Sequence, residues 1–132
     1  MRRIFVYADF DWLPHEELVG ELAFSIAIGN SDDHFRNHGF LLTNKGWTLS
    51  PAYDLNPTLS HAQSLLINSN TQESDINILL DSCSDYMLSR DVANRIVEDI
   101  RTAMARWQQV ATSIGISKSE QNLFKDRFSL CL

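Results

Sequence analysis

Between positions 30 and 54 the sequence gathers side chains suited to moving a phosphoryl group: Asp32, then Asn37 after four intervening residues, then Asp54 directly after Tyr53. Such a transfer needs one carboxylate to accept or orient the proton of the attacking hydroxyl. It also needs an amide oxygen and a second carboxylate to hold magnesium against the phosphates. A carboxylate suits the first role because it is ionised at neutral pH. Asn and Asp suit the second because magnesium prefers hard oxygen ligands and keeps its other positions for water and phosphate. Asp33 is an alternative base to Asp32, with a shorter separation from Asn37. His34 could reach a γ-phosphate or help to position a nucleotide; as a loop histidine it could equally be spent on a structural hydrogen bond. The Asp-x4-Asn spacing alone recurs in many loops, where both residue types are common. Asp54, returned to the same region by an intervening hairpin, narrows the reading.

The elements that must position these residues follow from the flanking patterns. Arg3–Asp9 reads as a short strand, rich in β-branched and aromatic residues. Pro14 suits a first helical position and Glu16 and Glu17 the first turn; Leu18, Val19, Leu22, Ala23, Ile26 and Ala27 then recur at helical spacing, with Gly29 as the stop. Asn30–Asn37 is a polar loop. Gly39–Thr43 and Trp47–Ser50 read as strands joined by Asn44-Lys45-Gly46, a hairpin with glycine in its turn. Pro51 and Pro57 bracket a constrained, non-helical piece. Ser60–Glu73 is polar apart from Leu65–Ile67 and carries no clear pattern.

The remainder is helical. Ile76, Leu79, Leu80 and Cys83 mark one helix, with Ser74 as its cap. Ser89 caps a long helix whose apolar stripe runs from Val92 to Ile114 and stops at Gly115. Ser117 and Glu120 have capping-box spacing, ahead of Leu123, Phe124 and Phe128. The stripe residues Ile96, Ile100, Met104, Trp107 and Ala111 are expected to pack against the first and last helices.

Composition sets the outer limits. With 132 residues, 44% hydrophobic and 21% charged, the chain has enough apolar content for one folded domain. A net charge of −6 argues against a broad nucleic-acid footprint, which needs clustered Lys and Arg. No apolar run reaches the length of a membrane span, and no apolar region behind Arg2 and Arg3 makes a signal peptide. Cys83 and Cys131 have no metal-site spacing and read as free thiols in a reducing compartment. The expected location is the cytoplasm.

The stretch GNSDDHFRNHGFLL followed by GWTLSPAYDLNPT resembles the signature of the HipA-like serine/threonine kinases, the toxin components of bacterial toxin–antitoxin pairs. The resemblance is specific from about Leu22 to Thr58 and looser through Phe128. It implies a mainly α fold: a helical kinase C-lobe with a small β-hairpin next to the catalytic loop. It also implies Asp32 as the catalytic aspartate, Asn37 and Asp54 as magnesium ligands, and nucleotide contacts from His34, Phe35, Arg36, Asn37, Tyr53 and Asp54. Asp-x4-Asn is the separation of protein-kinase catalytic loops, and Tyr53-Asp54-Leu55 stands where many kinases carry Asp-Phe-Gly. The implied chemistry is transfer of the ATP γ-phosphate, with Mg²⁺, to Ser or Thr hydroxyls. The implied partners are a protein substrate and a DNA-binding antitoxin.

The departures from that pattern are equally specific. The glycines, at positions 20, 29, 39, 46 and 115, form neither GxGxxG nor GxxxxGK[ST]. The lysines are Lys45 in the hairpin turn and Lys118 and Lys125 near the end, none placed to clamp phosphates. Residues 1–21 faintly resemble the family's N-terminus and 22–132 its C-terminal lobe, with the intervening part missing. The expectation is therefore weak or absent ATP binding and no kinase activity from these residues alone. The rival expectation is a non-catalytic module that binds the antitoxin, or that completes a split kinase by pairing with a separate N-terminal lobe.

Overall fold

A computed structural model describes residues 15–33, 37–58 and 74–129. The expected strand at Arg3–Asp9, Pro14, the Leu65–Ile67 stretch and Cys131 lie outside the described residues. The architecture is mainly helical with one two-stranded hairpin, in the order α1 (His15–Ile28), β1 (Phe40–Thr43), β2 (Gly46–Leu49), α2 (Ile76–Asp81), a 3-10 turn (Cys83–Tyr86), α3 (Arg90–Met104), α4 (Trp107–Ser113) and α5 (Lys118–Ser129). This is the fold class expected from the sequence. None of the described helices is long and apolar enough to cross a membrane.

α1 is the central helix. Leu18, Val19, Leu22, Ala23, Ile26 and Ala27 are all buried, and Ser25 and Ile28 join them, so its second half is covered on every side. A helix enclosed in this way reads as nearly continuous apolar sequence rather than as one stripe. It packs chiefly against α3, and also against α2 and α5. It ends where the sequence predicts: Gly29 takes a left-handed φ of 69°, the Asn30 amide donates to the Ser25 carbonyl (2.8 Å) and the Gly29 amide to that of Ile26 (3.1 Å). That is a Schellman cap, and it fixes the direction in which the chain leaves the core to form the loop beyond.

The hairpin is antiparallel, with Phe40 opposite Leu49 and Thr43 opposite Gly46. The left-handed φ of 110° falls on Gly46, directly after the Asn44-Lys45 turn, where glycine is favoured. Leu49 is buried at the base, whereas Leu42 and Trp47, paired across the outer end, are exposed.

Two local expectations are corrected. The cap of α2 is Asp75, whose carboxylate accepts from the Asn77 amide at 2.7 Å. Ser74 instead accepts a hydrogen bond from Arg127 of α5 (3.3 Å). The long helix expected from Ser89 to Gly115 is two helices. Ser89 caps the first as expected, its hydroxyl accepting from the Val92 amide (3.4 Å), and Gly115 ends the second with φ 86°. Between them Arg106 leaves helical geometry at φ −98°, ψ 1°. No glycine or proline marks this break; tertiary packing overrides local continuity. The bend turns Trp107 onto Phe128 of α5 in an edge-to-face contact, centroids 4.9 Å apart. Of the expected stripe, Met104 and Ala111 are buried, while Ile96, Ile100 and Trp107 are half-buried. The Ser117–Glu120 capping box forms in both directions: the Glu120 amide donates to the Ser117 hydroxyl (3.3 Å) and the Ser117 amide to the Glu120 carboxylate (3.0 Å).

Candidate active site

The segment after the Gly29 cap is built from hydrogen bonds between two stretches distant in sequence. The Asn30 amide side chain donates to the Asp54 carbonyl (3.4 Å), and the Ser31 and Thr58 hydroxyls lie 2.9 Å apart. Thr58 donates to the Gly29 carbonyl from both its hydroxyl (2.7 Å) and its backbone amide (3.0 Å). Residues 54–58 are thereby laced onto residues 29–31. The two pieces that carry Asp32 and Asp54 are held side by side, as a shared cleft requires.

Asp32 is exposed at the turn. Its carbonyl accepts from the Asn37 side-chain amide (3.3 Å), and Asn37 is itself buried at 7% exposure. That bond uses the Asn37 nitrogen and leaves the amide oxygen as its acceptor atom. Asp54 is exposed and sits at φ 57°, a left-handed conformation that Asp tolerates better than most residues. One of its carboxylate oxygens accepts from Asn56 (2.7 Å). Tyr53 is exposed, with its hydroxyl over Gly39, where an added Cβ would stand 3.5 Å away. His34, Phe35 and Arg36 lie outside the described residues.

Asp33 does not share the exposure of Asp32. It is buried at 2%, and its carboxylate is engaged by His38 Nε2 at 2.8 Å. Of the two candidate carboxylates, Asp32 is thus the exposed one and Asp33 the buried one. The other ring nitrogen of His38, Nδ1, meets Glu21 of α1 at 3.0 Å. Burial alone would lower the His38 pKa. Hydrogen bonds from Asp33 and Glu21 and the charges of both outweigh it and raise the pKa from 6.5 to about 9. His38 thus sits between two carboxyl groups and is bonded to each. The sequence reading missed this bridge. The only trace of it is Glu21, a carboxylate amid the apolar positions of α1.

Arg127 was also missed. It is buried, and its guanidinium lies against Gly29, where any Cβ would overlap Nε. The last helix thus props the turn from which the loop departs.

An amide oxygen and a carboxylate, as in Asn37 and Asp54, are hard oxygens of the kind that could hold magnesium, with other positions left for water and phosphate. Among the described residues no three His, Cys, Asp or Glu side chains gather as a metal group, so nothing here resembles an all-protein zinc or calcium cage.

Comparison with known proteins gives one match. The family described as HipA-like C-terminal domain matches residues 11–108, a span that contains α1, the loop, the hairpin, Asp54 and most of the helices. No curated protein and no solved structure matches the chain.

Proposed function

The chain belongs to the HipA-like C-terminal domain family, and from that membership we propose that it is the catalytic lobe of a serine/threonine protein kinase. Asp32 would act as the base, and Asn37 and Asp54 would hold Mg²⁺. The single observation that supports this reading is the lacing of residues 54–58 onto residues 29–31, the stretch directly before Asp32. In the proposed reaction a Ser or Thr hydroxyl oxygen attacks the γ-phosphorus of ATP. The bond to the β-phosphate oxygen breaks, ADP leaves and the hydroxyl proton passes to the Asp32 carboxylate. Magnesium, when bound, neutralises charge on the phosphates. The exposure of Asp32 leaves room for the hydroxyl, and the buried Asn37 is fixed in orientation by its bond to the Asp32 carbonyl. His34, Phe35, Arg36 and Tyr53 would line the nucleotide. The phosphate cradle and cationic clamp are absent from these residues and would come from a partner lobe. A toxin role would place a DNA-binding antitoxin beside it.

A second reading, an interaction module without catalysis, draws on Leu42 and Trp47, exposed apolar side chains paired across the outer end of the hairpin. One experiment separates the two. Binding of a fluorescent ADP analogue should depend on Mg²⁺ and weaken at least about tenfold in Asp54→Asn, by analogy with losses at metal ligands and their supports. Nucleotide binding indifferent to both Mg²⁺ and Asp54 would favour the interaction module.

A further inference from the structure

The loop that carries Asp32 and Asn37 is closed at its base by a buried bridge. Glu21 reaches it from α1, Asp33 is the chain neighbour of Asp32, and His38 is the chain neighbour of Asn37. His38 joins them with hydrogen bonds of 3.0 Å to Glu21 and 2.8 Å to Asp33. The two bonds use both ring nitrogens, one toward each carboxyl group. Among the described residues the second oxygen of Asp33 is buried without a hydrogen-bond partner, and the bond to His38 is the one that holds this side chain. The Asp33–His38 bond joins the chain neighbours of Asp32 and Asn37, alongside the direct bond from the Asn37 side chain to the Asp32 carbonyl. Glu21 ties that span to the central helix of the core.

We infer that Glu21, His38 and Asp33 are positioning residues, a buried acid–imidazole–acid bridge that holds Asp32 and Asn37 in register for metal and nucleotide. The inference rests on the kinase reading for the purpose of the bridge but not for its existence as a clamp. None of the three touches substrate. They act through their neighbours, as outer-shell partners of metal ligands do, and loss of such partners typically weakens metal binding about 10–100-fold.

Glu21 is the residue to change, because its side chain sits at the rim, 15% exposed, and its removal leaves the core packing of α1 intact. The full chain carrying Glu21→Ala or Glu21→Gln is compared with the unchanged protein by hydrogen exchange and by Mn²⁺ binding in electron paramagnetic resonance. Glutamine keeps an oxygen that can accept from His38 Nδ1; alanine does not. In Glu21→Ala, exchange of the amides in residues 30–39 should accelerate about tenfold or more while α3 keeps its protection. Mn²⁺ affinity should fall about tenfold or more, and Glu21→Gln should restore both to within about threefold of the unchanged protein.

Unchanged loop exchange in Glu21→Ala overturns the bridge, and so does an equal loss in the Ala and Gln variants. Loosening that spreads to α3 also overturns it, since the role would then be general stability. A loosened loop with unaltered Mn²⁺ affinity overturns the link to the metal ligands. Absence of Mn²⁺ binding by the unchanged protein counts instead against the kinase reading, and the exchange result still decides whether the clamp exists.

Discussion

Two residues show how much of the site depends on single backbone positions. Gly29 is constrained twice, by its left-handed φ and by the Arg127 guanidinium lying where a Cβ would go. Gly29→Ala should therefore cost about 2–5 kcal/mol, the sum of a left-handed penalty and overpacking, read as a drop in the urea midpoint. A change below about 1 kcal/mol would show that Arg127 can swing away freely. His38 makes stability depend on pH. Its folded pKa is raised from 6.5 to about 9, so its contribution is complete below about pH 6.5 and is lost as pH rises through about 9. Denaturation followed from pH 6 to 10 should show stability falling over this window, and the fall should be absent in His38→Gln. An equal fall in that variant would assign it to other groups.

At the scale of elements, the stripe that continues unbroken in the sequence is divided in the fold by the turn at Ala105–Arg106, and Trp107 meets Phe128 across the bend. A double-mutant cycle with Trp107→Leu and Phe128→Leu should give a coupling of about 0.5–1.5 kcal/mol, the range for an edge-to-face pair. Additive losses would mean that the two rings are merely near each other. The boundaries that were legible in the sequence are those made by local chemistry. Gly29, Ser89, Gly115 and the Ser117–Glu120 box all act within one turn of themselves, so spacing along the chain reveals them. The bend at Arg106 and the replacement of Ser74 by Asp75 were not legible, because each depends on α5: Phe128 draws the first, and Arg127 occupies the Ser74 hydroxyl. The same distinction holds at the site. Asp32, Asn37 and Asp54 stand out by type and spacing. Which of Asp32 and Asp33 faces outward is settled by His38 and Glu21, and nothing in their spacing shows that they meet.

For the whole molecule, the described residues hold Asp32 and Asp54 on two stretches that are laced together between residues 29–31 and 54–58. Asp32 and Asp54 are exposed carboxylates, while Asp33 is buried and bonded to His38. No glycine-rich cradle or placed lysine accompanies them. Phosphoryl transfer depends on positioning and charge neutralisation, and loss of even one preorganised donor costs about 10²–10³ in rate. These 132 residues incubated alone with radiolabelled ATP should therefore incorporate no more phosphate than the Asp32→Asn variant. Incorporation well above that control would mean that the chain supplies its own phosphate clamp.

The central claim is that Asp54 joins Asn37 as a metal ligand beside Asp32, and Asp54→Asn tests it most directly. Asparagine tolerates the left-handed φ of 57°, so the variant keeps the backbone while removing the charged ligand. Mn²⁺ titration followed by electron paramagnetic resonance should show one site in the unchanged protein, weakened at least about tenfold in Asp54→Asn with an unaltered thermal melt. Equal Mn²⁺ affinity in the two proteins would contradict the account.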